Sequence, residues 1–270
     1  LSTYASLKER RLWKDMLRTY EFMSRAGKLP LIGSLLTKML DSLLYIPSFY
    51  PLKDRSNSTL QVRFLKLRIK KGLCNGIIEN IRRPKLPMIT SFYSSAIAAE
   101  MAGYGAVFCI ICDTDMSRVW VTEDARTSRI LYFAPGTIAA QRLHSYGVPE
   151  KNILLTGFPL PLELLGDRNL STLKMNLKRR IRNLDPSGSF YNLYKHSITA
   201  YLHESDKEIS DVSFQKRSLT ITYAVGGAGA QKEVGQQIAQ SLADEIIKGK
   251  IKLNLVAGTR KELRDYFNGV

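Results

Sequence analysis

The residues best suited to holding a charged reactant are Val225-Gly226-Gly227-Ala228-Gly229-Ala230-Gln231. An apolar run, Leu219 to Ala224, precedes them, and a helix-patterned segment from Lys232 to Lys248 follows. A strand, a glycine turn and a helix together present unpaired N–H groups at the positive end of a helix dipole. That arrangement holds phosphate oxygens. Gly226, Gly227 and Gly229 leave out the Cβ that would keep a ligand off the backbone. The same turn also serves plain packing of helix on strand, and spacing alone leaves both readings open. Gln231 could donate to a phosphate or simply start the helix.

A second group is Asp113-Thr114-Asp115, two carboxylates that close the apolar run Ala106 to Cys112. A carboxylate at a strand end can take the proton of an attacking hydroxyl, so Asp115 and Asp113 are the candidate bases. Asp113 can equally hydrogen-bond the loop that follows. Thr90-Ser91 and Thr156-Gly157 close two further apolar runs, and ligands of parallel sheets bind beyond such carboxyl ends.

Other chemistries are poorly supported. Cys109-x-x-Cys112 has no second ligand pair, and its apolar setting reads as a buried strand with two core cysteines. His144, His196 and His203 have no metal-ligand spacing, so no metal is expected. Ser91 lacks the glycine-flanked elbow of a hydrolase nucleophile.

The net charge is +16, and residues 1–85 hold 18 of the 40 Lys and Arg but 6 of the 24 Asp and Glu. A basic tract of this kind implies a polyanionic partner, either nucleic acid or an anionic membrane surface. No nucleic-acid motif is visible, and the tract is rich in leucine rather than stacking aromatics, so nucleic acid is not the expected partner. Three cysteines argue for a reducing compartment. No run reaches the roughly 18 apolar residues of a membrane span, and no signal peptide is visible. A cytoplasmic location is expected.

Residues 1–85 read as amphipathic helices. Leu12, Trp13, Met16, Leu17, Tyr20 and Met23 recur at helical spacing among Arg10, Arg11, Lys14 and Arg18. Leu31 to Ile46 forms a second leucine-rich face, and Arg63 to Lys71 is a third basic segment. These are either core-facing helices with solvated basic faces or helices that lie in a membrane interface. From Lys85 onward strands and helices alternate. Strands are expected over Leu86–Thr90, Ala106–Cys112, Arg129–Phe133 and Asn152–Leu155, with helices over Ser94–Met101 and Thr137–Tyr146. Alternation of this kind predicts a parallel sheet. Residues 162–217 interrupt it with a basic helix, Leu173–Leu184, a tyrosine-bearing helix, Phe190–Leu202, and a polar loop from Glu204 to Ser213. The basic helix presents either a solvated face or a contact for anionic lipid. The pattern restarts with Leu219–Ala224, the glycine turn, the helix, and Ile251–Ala257. The expected fold is α/β with two Rossmann-like domains. The first spans 1–161, with 1–85 as its basic helical part; 162–217 is a helical insertion, and 218–270 begins the second.

The order of these motifs resembles the GT-B glycosyltransferases, in particular the branch with the diacylglycerol glycosyltransferases and the peptidoglycan lipid N-acetylglucosaminyltransferase. The resemblance covers about Lys85 to Gly258. It rests on Pro87-Met88-Ile89-Thr90-Ser91 before a small-residue helix, and on Ile110-Ile111-Cys112-Asp113-Thr114-Asp115 with Trp120 five residues on. Tyr132-Phe133-Ala134-Pro135 follows, then Leu143-x-x-x-Gly147-Val148-Pro149-x-x-Asn152-Ile153-x-x-Thr156-Gly157-x-Pro159, then the glycine turn. It implies two facing domains and an inverting transfer of a hexose from a nucleotide sugar, such as a UDP-sugar, to a lipid-type acceptor. Gly226, Gly227, Ala228, Gly229, Ala230 and Gln231 would meet the donor diphosphate. Thr90, Ser91, Thr156 and Gly157 would line the acceptor side. No cofactor is implied, and the basic first third would sit against the inner face of the membrane. The chain departs from the family in several places. No glycine- and histidine-bearing turn precedes Leu1, Pro159-Leu160-Pro161 replaces a Pro-Val-Arg, and no acidic ribose-binding segment follows the turn. The chain therefore reads as a segment of that architecture, with an incomplete C-terminal domain. The alternatives are a nucleotide-sugar epimerase of similar architecture and a non-catalytic basic nucleic-acid-binding protein.

Overall fold

The alternating apolar runs form parallel strands in the computed structural model, which describes residues 4–26, 45–82, 86–203, 219–226 and 231–269. The chain divides into two compact units, Leu1–Pro159 and Leu160–Val270.

In the first unit, β1 (Met88–Thr90), β2 (Val107–Ile110), β3 (Leu131–Ala134) and β4 (Ile153–Leu155) pair in sequential order, all parallel. Among the described residues three helices precede the sheet: α1 (Leu7–Ala26), α2 (Leu60–Lys70) and α3 (Asn75–Arg82). α4 (Tyr93–Met101) links β1 to β2, and α5 (Thr137–Ser145) links β3 to β4. Right-handed crossovers in a sequentially ordered sheet put their helices on one side. The side chains show that side. Met88, Val107, Cys109, Tyr132 and Ala134 are buried, whereas Phe108, Ile110 and Phe133 on the alternate face are half-buried and Ile89 is 63% exposed. α4 can lie close to the strands because Ala96, Ala98 and Ala99 form its buried face.

α1 is tied to this core through Glu9. Its buried carboxylate accepts the Gly76 N–H at 2.9 Å and the Trp13 indole N–H at 3.4 Å. Leu12, Trp13 and Met16 pack on the core, while Leu17, Tyr20 and Phe22 stay exposed. α5 ends as its sequence predicts, with Gly147 at φ +92° just beyond the last turn. A Cβ there would lie 2.9 Å from Ser56 Cβ, so both the backbone angle and the close approach require glycine.

The second unit holds α6 (Leu162–Leu165), α7 (Ser171–Leu184) and α8 (Ser189–Leu202). A parallel pair follows, β5 (Leu219–Ala224) and β6 (Ile251–Val256), joined through α9 (Lys232–Ser241) and α10 (Ala243–Ile247), and α11 (Lys261–Asn268) closes the unit. The single helix expected over Lys232–Lys248 is two helices, broken at Leu242, whose φ of −106° and ψ of 8° leave the helical region. Gly235 lets α9 approach the strand, since a Cβ there would come within 2.9 Å of the rings of Tyr223 and Phe267.

The helix expected over Leu31–Ile46 lies outside the described residues except for Tyr45 and Ile46, which are not helical. The Glu204–Ser213 loop also lies outside them. Among the described residues no helix is long and apolar enough to cross a membrane.

Candidate functional site

Parallel pairing brings the carboxyl ends of all four strands to one edge of the first sheet. Thr90-Ser91 leave β1, Cys112-Asp113 lie beyond β2, Pro135-Gly136 follow β3, and Thr156-Gly157 follow β4. Register sets their spacing. Thr90 is level with Cys109, so Ser91 and Asp113 come from adjacent strands. Thr156 is three strands from Thr90, about 14 Å at the usual inter-strand distance.

The hydroxyls at this edge are used locally. Thr90 Oγ1 accepts the Phe92 N–H at 3.0 Å and shapes the turn into α4. Thr156 Oγ1 lies 3.4 Å from Gly157 O. Ser91 is exposed, and Asp113 is exposed beside Tyr93. Burial first, and the Asp113 carboxylate second, push the Tyr93 phenol above its ordinary value.

The two carboxylates of Asp113-Thr114-Asp115 have different environments. Arg142 Nε and a terminal guanidinium nitrogen donate to the two oxygens of Asp115, each at 2.8 Å, and Met116 N–H donates to the first at 2.8 Å. Arg142 is 2% exposed and also donates to Pro47 O at 2.8 Å, while its guanidinium lies 5.2 Å from the Phe49 ring centre. Burial alone would raise the Asp115 pKa. The hydrogen bonds from Arg142 and Met116 and the Arg142 charge outweigh it, and the carboxyl titrates below its ordinary value. A carboxylate held this way is a weaker base than a free one, and through Arg142 it ties α5 and the segment around Pro47 to the loop after β2. Asp113 is exposed at the same edge.

An aromatic row borders the edge, and sequence reasoning did not find it. Trp13 of α1 packs on Phe92 at 5.9 Å between ring centres, Phe92 on Tyr93 at 5.1 Å, and Tyr93 on Trp120 at 5.2 Å. Phe92, between Trp13 and Tyr93 in this row, is 44% exposed. No local spacing signals it, because its members are scattered between residues 13 and 120.

In the second unit, Gly227, Ala228, Gly229 and Ala230 lie outside the described residues. Gly226 is exposed at the end of β5. Gln231 starts α9 with a left-handed backbone, φ +65°, and its carbonyl accepts the Tyr223 hydroxyl at 2.8 Å. Its backbone therefore has a helix-start role, and its side chain is exposed.

The cysteine expectation is half corrected. Cys109 is fully buried, and burial pushes its thiol up to about 12; Cys112 is exposed. Cys112 lies two residues past Ile110, the last residue of β2, beyond the Ile111 N–H that still bonds Phe133 O. Among the described residues no group of three His, Cys, Asp or Glu side chains could hold a metal ion.

Searches with family models, among curated proteins and among solved structures find no match to this chain.

Proposed function

We propose that the chain belongs to a membrane-peripheral glycosyltransferase of GT-B type that moves a hexose from a nucleotide sugar to a lipid-type acceptor. The observation that carries this reading is the carboxyl edge of the first sheet, where exposed Asp113 and Ser91 sit beside an aromatic row whose second member, Phe92, is exposed. A ligand at that edge would meet a carboxylate able to take a hydroxyl proton and a ring able to hold an apolar or sugar face. Asp113 is the base in this scheme and Asp115 positions the loop that carries it.

The second unit supports the donor side. β5, the turn and α9 repeat the strand–turn–helix order that binds phosphates, with parallel β6 beside β5. Backbone N–H groups of the 226–231 turn would stabilise the leaving diphosphate without a metal. Support for the membrane comes from exposed apolar side chains among basic ones. Leu184 is 82% exposed on α7, which carries Lys174, Arg179 and Arg180, and Leu193 and Tyr201 are exposed on α8. Near an anionic leaflet each Lys or Arg contributes about 1 kcal/mol.

The test is transfer from radiolabelled UDP-hexoses into the organic-phase lipid of diacylglycerol-containing vesicles, with Asp113→Asn alongside. Incorporation is expected to fall by at least about a hundredfold in the variant. If the chain neither binds UDP at millimolar concentration nor incorporates label, the assignment fails. Retention of full activity by Asp113→Asn would remove Asp113 as the base.

A further inference from the structure

We infer that a cavity of about 310 Å³ between the segment 45–61 and the loop after β2 binds a phosphate group. Arg55, Gln61 and Arg118 supply its polar wall, and Leu60, Tyr45 and Tyr146 are among its apolar and aromatic lining. Among the described residues no carboxylate lines it.

Arg118 is the central observation. It is 4% exposed, and no salt bridge to a carboxylate is formed at its guanidinium among the described residues. One terminal nitrogen donates to Val121 O and Thr122 O, each at 2.9 Å, and the other to Ser56 O at 2.8 Å and Glu123 O at 3.2 Å. Those four carbonyls orient the group but carry no net negative charge. Its Nε is buried with no acceptor, and so is Gln61 Nε2 on the same cavity wall. The Glu123 carboxylate is engaged elsewhere, by Lys66 and by Ser58. A buried cation with no carboxylate beside it among the described residues is costly unless an anion lies near it.

The surroundings favour the same ligand. Arg55 also lines the cavity, and Thr59, Leu60 and Gln61 begin α2, an 11-residue helix whose positive end is therefore part of the wall. Two arginines, a glutamine and a helix start make a lining whose charge suits phosphate. The apolar lining leaves room for the carbon body of a phosphate ester. The phosphate could belong to a lipid headgroup or to a soluble ester, since the recognition chemistry is shared. This site uses none of the residues assigned to sugar transfer, so it stands or falls separately from that reading.

Arg118 also holds the 121–123 loop, so the test uses Arg55→Gln and Gln61→Leu, the second of which changes no charge. The full chain is titrated calorimetrically with inorganic phosphate at constant ionic strength set by chloride. Saturable one-to-one binding is expected, weakened by about tenfold in each variant, as loss of a charge-assisted hydrogen bond implies. In parallel, wild type and Gln61→Leu are sedimented with phosphatidylcholine vesicles containing phosphatidic acid. A Gln61-dependent loss of vesicle binding assigns the headgroup, whereas loss of free phosphate binding with vesicle binding unchanged assigns a soluble ester. The inference is overturned if phosphate gives no saturable heat and vesicle binding ignores Gln61→Leu. It is equally overturned if phosphate binds both variants as it binds wild type.

Discussion

Replacing Asp115 by alanine should unfold the first unit far more readily than an ordinary surface substitution would. The change removes both acceptors of the Arg142 fork and leaves a guanidinium that is 2% exposed with the Pro47 carbonyl as its remaining described acceptor. Breaking a buried pair from one side costs about 3–5 kcal/mol. The Asp115 side chain is 27% exposed, so water can reach the vacated side, and about 2–3 kcal/mol is the better figure. With a urea dependence of about 1–3 kcal/mol per molar, the midpoint should fall by roughly 1–2 M. The readout is selective, because the chain has 2 tryptophans and both, Trp13 and Trp120, lie in the first unit. The pH dependence has a definite sign. The folded Asp115 pKa is depressed, so its stabilisation is complete above the unfolded value of about 3.9 and is lost as pH falls through the folded value. The gap between wild type and variant should be full at pH 7 and narrow below about pH 4. A tryptophan midpoint lowered by less than about 0.3 M at pH 7, or a gap unchanged at pH 3, would refute the anchoring role.

Gly235→Val should destabilise the second unit by about 1–3 kcal/mol, because its side chain would enter the rings of Tyr223 and Phe267. Hydrogen exchange of α9 and β5 should rise; exchange unchanged from wild type would overturn the close approach at Gly235. Under native conditions a thiol reagent should modify Cys112, which is exposed, and spare Cys109 and Cys74, whose thiols burial pushes up to about 12 and about 11. Mass mapping that found Cys109 labelled first would overturn the assigned burial. Glu9→Ala should cost about 1–3 kcal/mol by leaving the Gly76 N–H without its acceptor, and should red-shift Trp13 emission as α1 loosens. Unaltered emission and midpoint would show that α1 is held by its apolar face alone.

Local pattern was enough to place the elements of the sheet. Leu219–Ala224 is a strand at the bounds its apolar run predicts, and the runs ending at Thr90 and Leu155 end their strands there. Strands are short apolar runs between turn formers, and that information lies within a few residues. The break at Leu242 was not legible in this way, because no glycine or proline marks it. The site divides along the same line. That Thr90-Ser91, Asp113 and Thr156-Gly157 share an edge follows from parallel pairing of strands that the sequence shows. The different fates of Asp113 and Asp115, two residues apart, depend on Arg142 arriving from α5, 27 residues away.

What the chain determines by itself is therefore its alternation of strand and helix, its basic first third and the order of strand then helix on either side of 225–231. These follow from residue type and short-range periodicity. Tertiary structure alone decided which carboxylate is open and which is locked, and it gathered the row from Trp13 to Trp120. It also left Arg118 buried among carbonyls with no carboxylate on it among the described residues. The physical reason is that charge state and exposure depend on neighbours brought close by folding, and those neighbours are set by long-range packing rather than by spacing along the chain.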